Sequence, residues 1–368
     1  MERLEDLVDP RLATLLEAAV LAPSGDNMQP WLFKVDAEAN TLDLHLSEWA
    51  DRSPLNLGRR MDRIALGAAF TNMVRTADHL GRVLEASPPL APALASLQVG
   101  AERASAGHVP AEVKARVTNR RLYHGTLLAH KTRRDLEALD HGLPGITLHW
   151  VFDGAARGRW AELIARADRL MFGLAEIRNA LLGNVRFDAP ASAEVDRGLS
   201  LGSLELSAVE TLGMKSLRVL PDWLLKQSGL LRLFAKHAHD LVASSSGLCL
   251  LVGPDGSQAS DFLIGQAMQQ VWLELTRLEL AVQPMMSLLI LENIDDQGGA
   301  ELVDQVGRVA IQSLRDDWRA VVPELSARRP GFLLRFGVAE SPTSRTGRIP
   351  WQQVTRVESR TAACGAAE

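Results

Sequence analysis

Ala22-Pro23-Ser24-Gly25-Asp26-Asn27-Met28-Gln29-Pro30-Trp31 packs turn formers, small donors, two carboxamides and an indole into ten residues. Upstream, Leu12, Leu15, Leu16, Ala19 and Ala22 recur at helical spacing on one face, so the stretch begins where a helix ends. Pro23 stops that helix and Gly25 turns the chain. Ser24, Asn27 and Gln29 then offer hydroxyl and carboxamide groups that both donate and accept, while Pro30 restricts the backbone and Trp31 supplies an apolar wall. Such a loop suits a flat ligand with polar edges; its other reading is an ordinary helix-to-strand connection.

Downstream, Trp31 to Val35 and Leu42 to Leu46 alternate apolar and polar residues around a polar break, which predicts a hairpin. Asp51 to Arg59 is polar and loop-like, and Met61 to Leu80 carries Ile64, Ala65, Ala68, Ala69, Val74 and Ala77 at helical spacing, predicting a buried helix. The breakers Ser87 to Pro92 and Ala104 to Pro110 suit a connection, so a boundary is set near residue 105, giving segments 1–105, 106–350 and a tail 351–368. Beyond it, a charged helix is expected around Lys131 to Asp140, a strand at Ile146 to Phe152 and a long helical stretch from Ala155 to Leu182. Residues 196–243 read as Leu-rich helix, Gly247 to Val252 as a fully buried strand, Gln258 to Ala281 as an apolar helix and Phe332 to Val338 as the last strand. The two halves share this outline without close residue identity, and the Ala-rich end, Thr361 to Glu368, is expected to be disordered.

Composition bounds the function classes. With 368 residues, 46% of them hydrophobic, the chain can bury a large core as two domains or one intertwined unit. A formal net charge of -5, with Lys and Arg spread along the sequence, provides no basic stripe for nucleic acid. The two cysteines, Cys249 and Cys364, indicate neither a disulfide framework nor a Cys-based zinc site, and fit a reducing compartment. Met1-Glu2-Arg3-Leu4-Glu5-Asp6 is acidic where a signal peptide is basic and then apolar, and no run approaches a membrane span, so a soluble, cytoplasmic protein is expected.

Arg116-Val117-Thr118-Asn119-Arg120-Arg121 sets a hydroxyl between guanidinium groups, a suitable grip for a phosphate; a solvated basic face is the alternative. Arg345-Thr346-Gly347-Arg348, after the expected last strand, can close on the same phosphate from the far end of the chain. Other features have plainer readings. His237 and His239 are two apart on a helical run and do not share a face, which argues against a metal pair. Gly253 to Ser257 lacks the lysine and spacing of a phosphate loop and reads as a strand-to-helix turn. Pro221 to Phe234, with Trp223, is open between core, a membrane-surface helix and a lid. Met285 and Met286 are core or ligand-binding residues, and Tyr123 is a packed tyrosine or a proton donor.

Taken together, Ala-Pro-Ser-x-x-Asn-x-Gln-Pro-Trp at 22–31, Arg-x-Thr-x-Arg at 116–120, Arg335-Phe336-Gly337 and Arg345 to Arg348 resemble the nitroreductase-like FMN-binding family over most of the chain. Thr118 stands where that family's Arg element has serine. Ordinary members place the Arg element first and the Pro-Trp loop later. Here the order is reversed, which resembles the (Acg-like) subgroup with two halves fused into a pseudo-dimer. The resemblance implies an α+β fold of nitroreductase type, with a central mixed or antiparallel sheet flanked by helices, and one FMN per chain. It implies ring contacts from Ser24, Asn27 and Gln29, and phosphate contacts from Arg116, Thr118, Arg120, the adjoining Arg121, and Arg345 or Arg348. The loop Gln283-Pro284-Met285-Met286-Ser287, after the helix holding Gly265-Gln266-Ala267, would lie beside the ring, and residues 200–235 would form a lid. The implied activity is electron transfer from NAD(P)H to an electron-poor small molecule of nitroaromatic or quinone type, in a monomer or homodimer. Storage of FMN behind a closed lid is the rival, and a dehydrogenase or flavin-consuming enzyme a third reading. Flavin supplies the hydride chemistry, so no catalytic acid or base is assigned.

Overall fold

Two sheets, each built on four antiparallel strands in one order, organise the chain. The computed structural model describes residues 8–36, 38–39, 41–49, 53–80, 84–87, 93–99, 107–188, 197–297, 299 and 301–358. Its strands are β1 (Trp31–Asp36), β2 (Thr41–Leu46), β3 (Leu84–Ser87), β4 (Ala95–Val99), β5 (Thr147–Val151), β6 (Val185–Arg186), β7 (Leu199–Ser200), β8 (Gly247–Gly253), β9 (Ala281–Pro284), β10 (Arg329–Gly337) and β11 (Thr355–Glu358). The helices are α1 (Pro10–Val20), α2 (Arg60–His79), α3 (Ala111–Ala115), α4 (His130–Glu137), α5 (Gly154–Gly173), α6 (Ala175–Gly183), α7 (Ala208–Val219), α8 (Asp222–Gln227), α9 (Leu230–Ala243), α10 (Gln258–Arg277), α11 (Ser287–Asp296) and α12 (Gln305–Val321).

The first sheet runs β11-β1-β2-β4-β3 and the second β5-β8-β10-β9. Within β1-β2-β4-β3 and β5-β8-β10-β9 every neighbouring pair is antiparallel. In both, a helix precedes the first strand, and a 20-residue helix, α2 or α10, joins the second strand to the third. The second unit carries the larger insertions: α5 to α9 between β5 and β8, and α11 and α12 between β9 and β10. The chain is thus an α+β fold whose sheets are flanked by helices, and the similarity of its halves lies in topology.

Local patterning accounts for the elements. The β1–β2 hairpin pairs Phe33 with Leu44 and Val35 with Leu42, so the alternation turns one face of the hairpin inward. Gly247–Gly253 is buried along its whole length, as its unbroken apolar run requires. Asp9, Asp153, Ser257 and Asp304 cap α1, α5, α10 and α12 by accepting backbone N–H groups. The turn at Gly253 to Ser257 is therefore the strand-to-helix connection its composition suggests.

α2 and α10 cross at backbone contact. A Cβ on Gly67 would meet the Phe262 carbonyl oxygen at 2.1 Å, and one on Gly265 would meet the Ile64 carbonyl oxygen at 2.0 Å, a reciprocal contact three residues upstream in each case. Across this seam Gln269 Nε2 donates to Asn72 Oδ1 at 2.7 Å, and Asn72 Nδ2 donates to the Ala18 carbonyl at 2.8 Å. At one end Asp261 accepts from Arg60 Nε at 2.9 Å and Arg63 NH2 at 2.6 Å. Apolar residues of both helices share one core with β1, β2 and α1, while α5, α11, α12 and β8 enclose a second. Phe172, Leu182, Met214, Leu217, Leu225 and Phe234 form a small separate cluster beneath α7 to α9.

Several sequence expectations are corrected. The strand read as Phe332 to Val338 is the C-terminal part of β10, which starts at Arg329 and ends at Gly337, and it is not the last strand, because Thr355–Glu358 returns to pair in parallel with β1, Phe33 opposite Thr355. The 351–368 tail therefore begins with structured residues, and Ile349, Trp351 and Val354 lie in the first core. The helix read as Gln258 to Ala281 ends at Arg277; Glu279 takes a left-handed φ of 57° and Ala281 opens β9. Strands occupy 84–87 and 95–99, the second lying between the two breaker stretches read as a connection. Most of that connection and the 361–368 end lie outside the described residues. No helix among the described residues is long and apolar enough to cross a membrane.

Candidate functional site

The 22–31 loop is strained and heavily tied. Asp26, Asn27 and Gln29 adopt left-handed φ values of 45°, 58° and 51°. Asp and Asn tolerate that region through their short polar side chains, whereas Gln has no such excuse, and conformations of this kind persist where surrounding bonds over-determine them. Those bonds are present: Gln29 N donates to Ser24 Oγ at 2.9 Å, Ile349 N donates to Gln29 Oε1 at 2.8 Å, and Arg348 NH1 donates to Asn27 Oδ1 at 2.8 Å. The loop and the 345–349 segment, more than 300 residues apart, are thereby one construction.

Two adjoining cavities open beside it. The narrower, about 150 Å³, is lined by Lys114, Arg116, Arg120, Arg345 and Arg348, with Asp26 as its one acidic residue and Ser24, Asn27, Thr118, Ser203, Ser344 and Thr346 as neutral polar groups. Arg116 is buried, lies 4.7 Å above the Trp272 ring and donates to the Leu21 carbonyl at 3.0 Å. Burial, then repulsion from Arg348 and Arg345, holds its guanidinium well below the ordinary arginine value. Burial and Arg345 bring Arg348 down to about 10. Arg120 is also lowered by burial, with Asp26 and Glu205 opposing the shift. Nε of Arg116, Nε of Arg348 and Oγ of Ser344 are buried without a partner in the protein. Crowded cations with unused donors are what an anion would relieve.

The wider cavity, about 330 Å³, shares Pro23, Ser24, Asp26, Thr118 and Arg120 with the narrower one. α2 contributes Met61, Ile64 and Ala65, α10 contributes Met268 and Trp272, and the β9–α11 connection contributes Gln283, Pro284, Met286 and Ser287. Both topological units therefore build its walls. Met171, Phe172, Leu181, Ile290 and Phe332 complete an apolar chamber into which Asp168 and Asp26 bring carboxyl groups. Burial pushes Asp168 up to about 6 against a hydrogen bond from Ser287, and pushes Asp26 up against a hydrogen bond from Asn184.

Of the residues singled out in the sequence, Ser24, Asn27, Arg116, Thr118, Arg120, Arg345, Arg348 and Met286 line one or both cavities. Gln29, Arg121 and Met285 line neither. Gln29 is fully buried behind the loop, Arg121 NH1 donates to the Ser341 carbonyl at 3.1 Å, and Met285 packs in the second core. Trp31 is likewise a core residue of β1; the indole in the chamber wall is Trp272. Tyr123 is packed, its hydroxyl donating to the Asn119 carbonyl at 2.9 Å with Arg335 over its ring. His237 pairs with Glu210 at 2.5 Å, and no cluster among the described residues is suited to a metal.

Lys114, Ser203, Ser344, Asp168 and Trp272 reach the cavities only through the tertiary fold, whereas Asp26 comes with the 22–31 loop itself. Of residues 200–235, Ser203 reaches the site, its carbonyl accepting from Arg120 NH1 at 2.9 Å. Next to it Glu205, in the left-handed region, accepts from the Thr343 hydroxyl at 2.7 Å. Further along, Leu225 and Phe234 are buried in the small cluster and Trp223 is exposed.

No family model matches the chain. It is 30% identical over 298 residues to an uncharacterized protein of Mycobacterium tuberculosis (strain CDC 1551 / Oshkosh); the match takes in 76% of this chain and 39% of that protein, so the chain spans about two fifths of the relative's length. Among solved structures, the FMN-dependent nitroreductase NfnB from Mycobacterium smegmatis, in complex with NADPH, aligns with 62% of this chain and 86% of its own at 17% identity and a TM-score of 0.34.

Proposed function

We propose that this protein is an FMN-dependent oxidoreductase that moves electrons from a reduced nicotinamide to an electron-poor small molecule, with its two units acting as the fused halves of a nitroreductase-type pseudo-dimer. The observation that carries the reading is the joined pair of cavities: five cationic side chains and three unpartnered buried polar atoms on one side, an apolar chamber on the other, and Ser24, Thr118 and Arg120 common to both. A phosphate with a flat aromatic system attached fits that division. Arg116, Arg120, Arg345, Arg348 and Thr118 would hold the phosphate beside Asn27, and Ser24, Met286 and Gln283 would border the ring. FMN, when bound, supplies the hydride chemistry.

The chain's own part is to orient the ring and tune the charge around it. Neutral donors from Ser24, Thr118 and Gln283 suit an electron-rich ring, and raising Asp26 by burial weakens the carboxylate that would oppose one. The acceptor would occupy the rest of the apolar chamber. A second reading, storage without turnover, draws on the bonds that Arg120 donates to the Ser203 carbonyl and Thr343 to Glu205, which tie the start of the 200–235 segment to the rim of the narrow cavity. Oxidation of NADPH in the presence of a quinone or nitroaromatic would reject storage as the sole role.

Replacing Arg120 with alanine removes a guanidinium common to both cavities. Loss of one charge-assisted hydrogen-bonding group is expected to weaken FMN binding by about 10- to 100-fold. Titration followed by quenching of flavin fluorescence measures this, and unchanged affinity would overturn the phosphate assignment.

A further inference from the structure

We propose that the wide chamber takes a ligand with a flat apolar body and a protonated nitrogen, and that Asp168 is the counter-charge for that nitrogen. The inference rests on the chamber being the acceptor's place, and it narrows the acceptor class to nitrogen-containing organic cations.

Asp168 lies on α5 three and four residues before Met171 and Phe172, so helical spacing brings all three to the face that lines the chamber. Across from it Ser287, the first residue of α11, supplies a hydrogen bond to the carboxyl, with Met286 and Ile290 on either side. Among the described residues no Lys, Arg or His forms an ion pair with Asp168. The charged groups sharing its chamber are Asp26 and Arg120, and these sit at the junction with the narrow cavity, where Arg120 is committed to the Ser203 carbonyl. A buried carboxyl facing an apolar, partly aromatic space without an internal cation is the complement of a cationic ligand, because the ligand compensates a charge that the protein leaves buried and unpaired. Trp272, Phe172 and Phe332 add aromatic surface to the walls around it. A neutral acceptor would need none of this.

Burial sets the carboxyl near 6, so it is ionised at neutral pH and protonated under mild acid. Binding of a cation should therefore hold above that pH and weaken about tenfold for each pH unit below it.

Isothermal titration of the full chain, its flavin content first read from the visible spectrum, would compare benzylammonium with the neutral benzyl alcohol at about pH 8 and about pH 5. Wild type is expected to bind benzylammonium about tenfold or more tighter at the higher pH, and to lose that preference at the lower. Asp168→Asn should abolish the preference and its pH dependence while leaving benzyl alcohol unchanged. Ser287→Ala, which removes the group that lowers the carboxyl's proton affinity, should move the midpoint to higher pH. Equal binding of benzylammonium by wild type and Asp168→Asn, or a midpoint unmoved in Ser287→Ala, would overturn the proposal. An Asp168-dependent preference in a protein that takes up no FMN would sink the flavin reading and keep this one; bound FMN with no preference would do the reverse.

Discussion

Alanine at Gly265 is expected to cost the protein at least ~3 kcal/mol, beyond the usual range for an overpacked core, and to leave little folded material at physiological temperature. The added methyl would sit 2.0 Å from the Ile64 carbonyl oxygen and 2.8 Å from its carbon, where nothing can rotate away because both partners are backbone. Gly67→Ala meets the mirror situation, 2.1 Å from the Phe262 carbonyl oxygen and 2.9 Å from Gln266 N. Relief requires α2 and α10 to separate along their length, and that opens the seam on which Ile64 and Ala65 face Met268 and Trp272 in the chamber wall. Gly158→Ala is the matched control. It lies inside α5 with nothing within 4 Å of a built Cβ, so the same change should be neutral or stabilising by about 0.5–1 kcal/mol. Urea titrations of the three variants measure the contrast, and a Gly265→Ala midpoint within error of wild type would contradict it.

Asp261→Asn is expected to destabilise by about 3–5 kcal/mol, the range for breaking a buried ion pair by removing one partner. Asp261 is 2% exposed, and Arg60 and Arg63 are 8% and 9% exposed. Without the carboxylate two guanidinium groups remain in the interior with backbone carbonyls, those of Pro330 and Gly58, as their remaining partners. An asparagine oxygen still accepts a hydrogen bond but neutralises neither charge. The loss should appear as a lower urea midpoint at unchanged slope; a midpoint within error of wild type would show that the pair adds nothing to the join of α2 and α10.

What could be read in the sequence was what short-range chemistry decides. Pro23, Gly25 and the run of small polar residues announce the loop, apolar spacing announces α2 and α10, and alternation announces the β1–β2 hairpin. β3, β4 and β11 are four or five residues long and lack the apolar run that marks the equally short β5. β11 in particular is a strand on account of its partner β1, more than 300 residues away, and not of its own pattern. Trp31 and Gln29 show the limit at the site. Adjacency in sequence suggested that the whole loop faces a ligand, yet strand geometry turns Trp31 into the core and the left-handed Gln29 spends its carboxamide on Ile349. Trp272 and Asp168 reach the chamber from helices whose apolar periodicity marks them as core elements, so nothing local distinguishes a wall from an interior. The strand order common to β1-β2-β4-β3 and β5-β8-β10-β9 was equally out of reach, since pairing between distant strands leaves no mark in residue identity.

The flavin and its reduction are the centre of the account. The direct measurement is the visible absorption spectrum of the purified protein, supplied with FMN and kept free of oxygen, before and after NADPH is added. A bound-flavin spectrum that bleaches with NADPH and returns when a quinone or nitroaromatic is admitted is the expected result. A protein that takes up no FMN would contradict it, and a bound flavin that NADPH leaves oxidised would contradict the reductase reading in favour of storage.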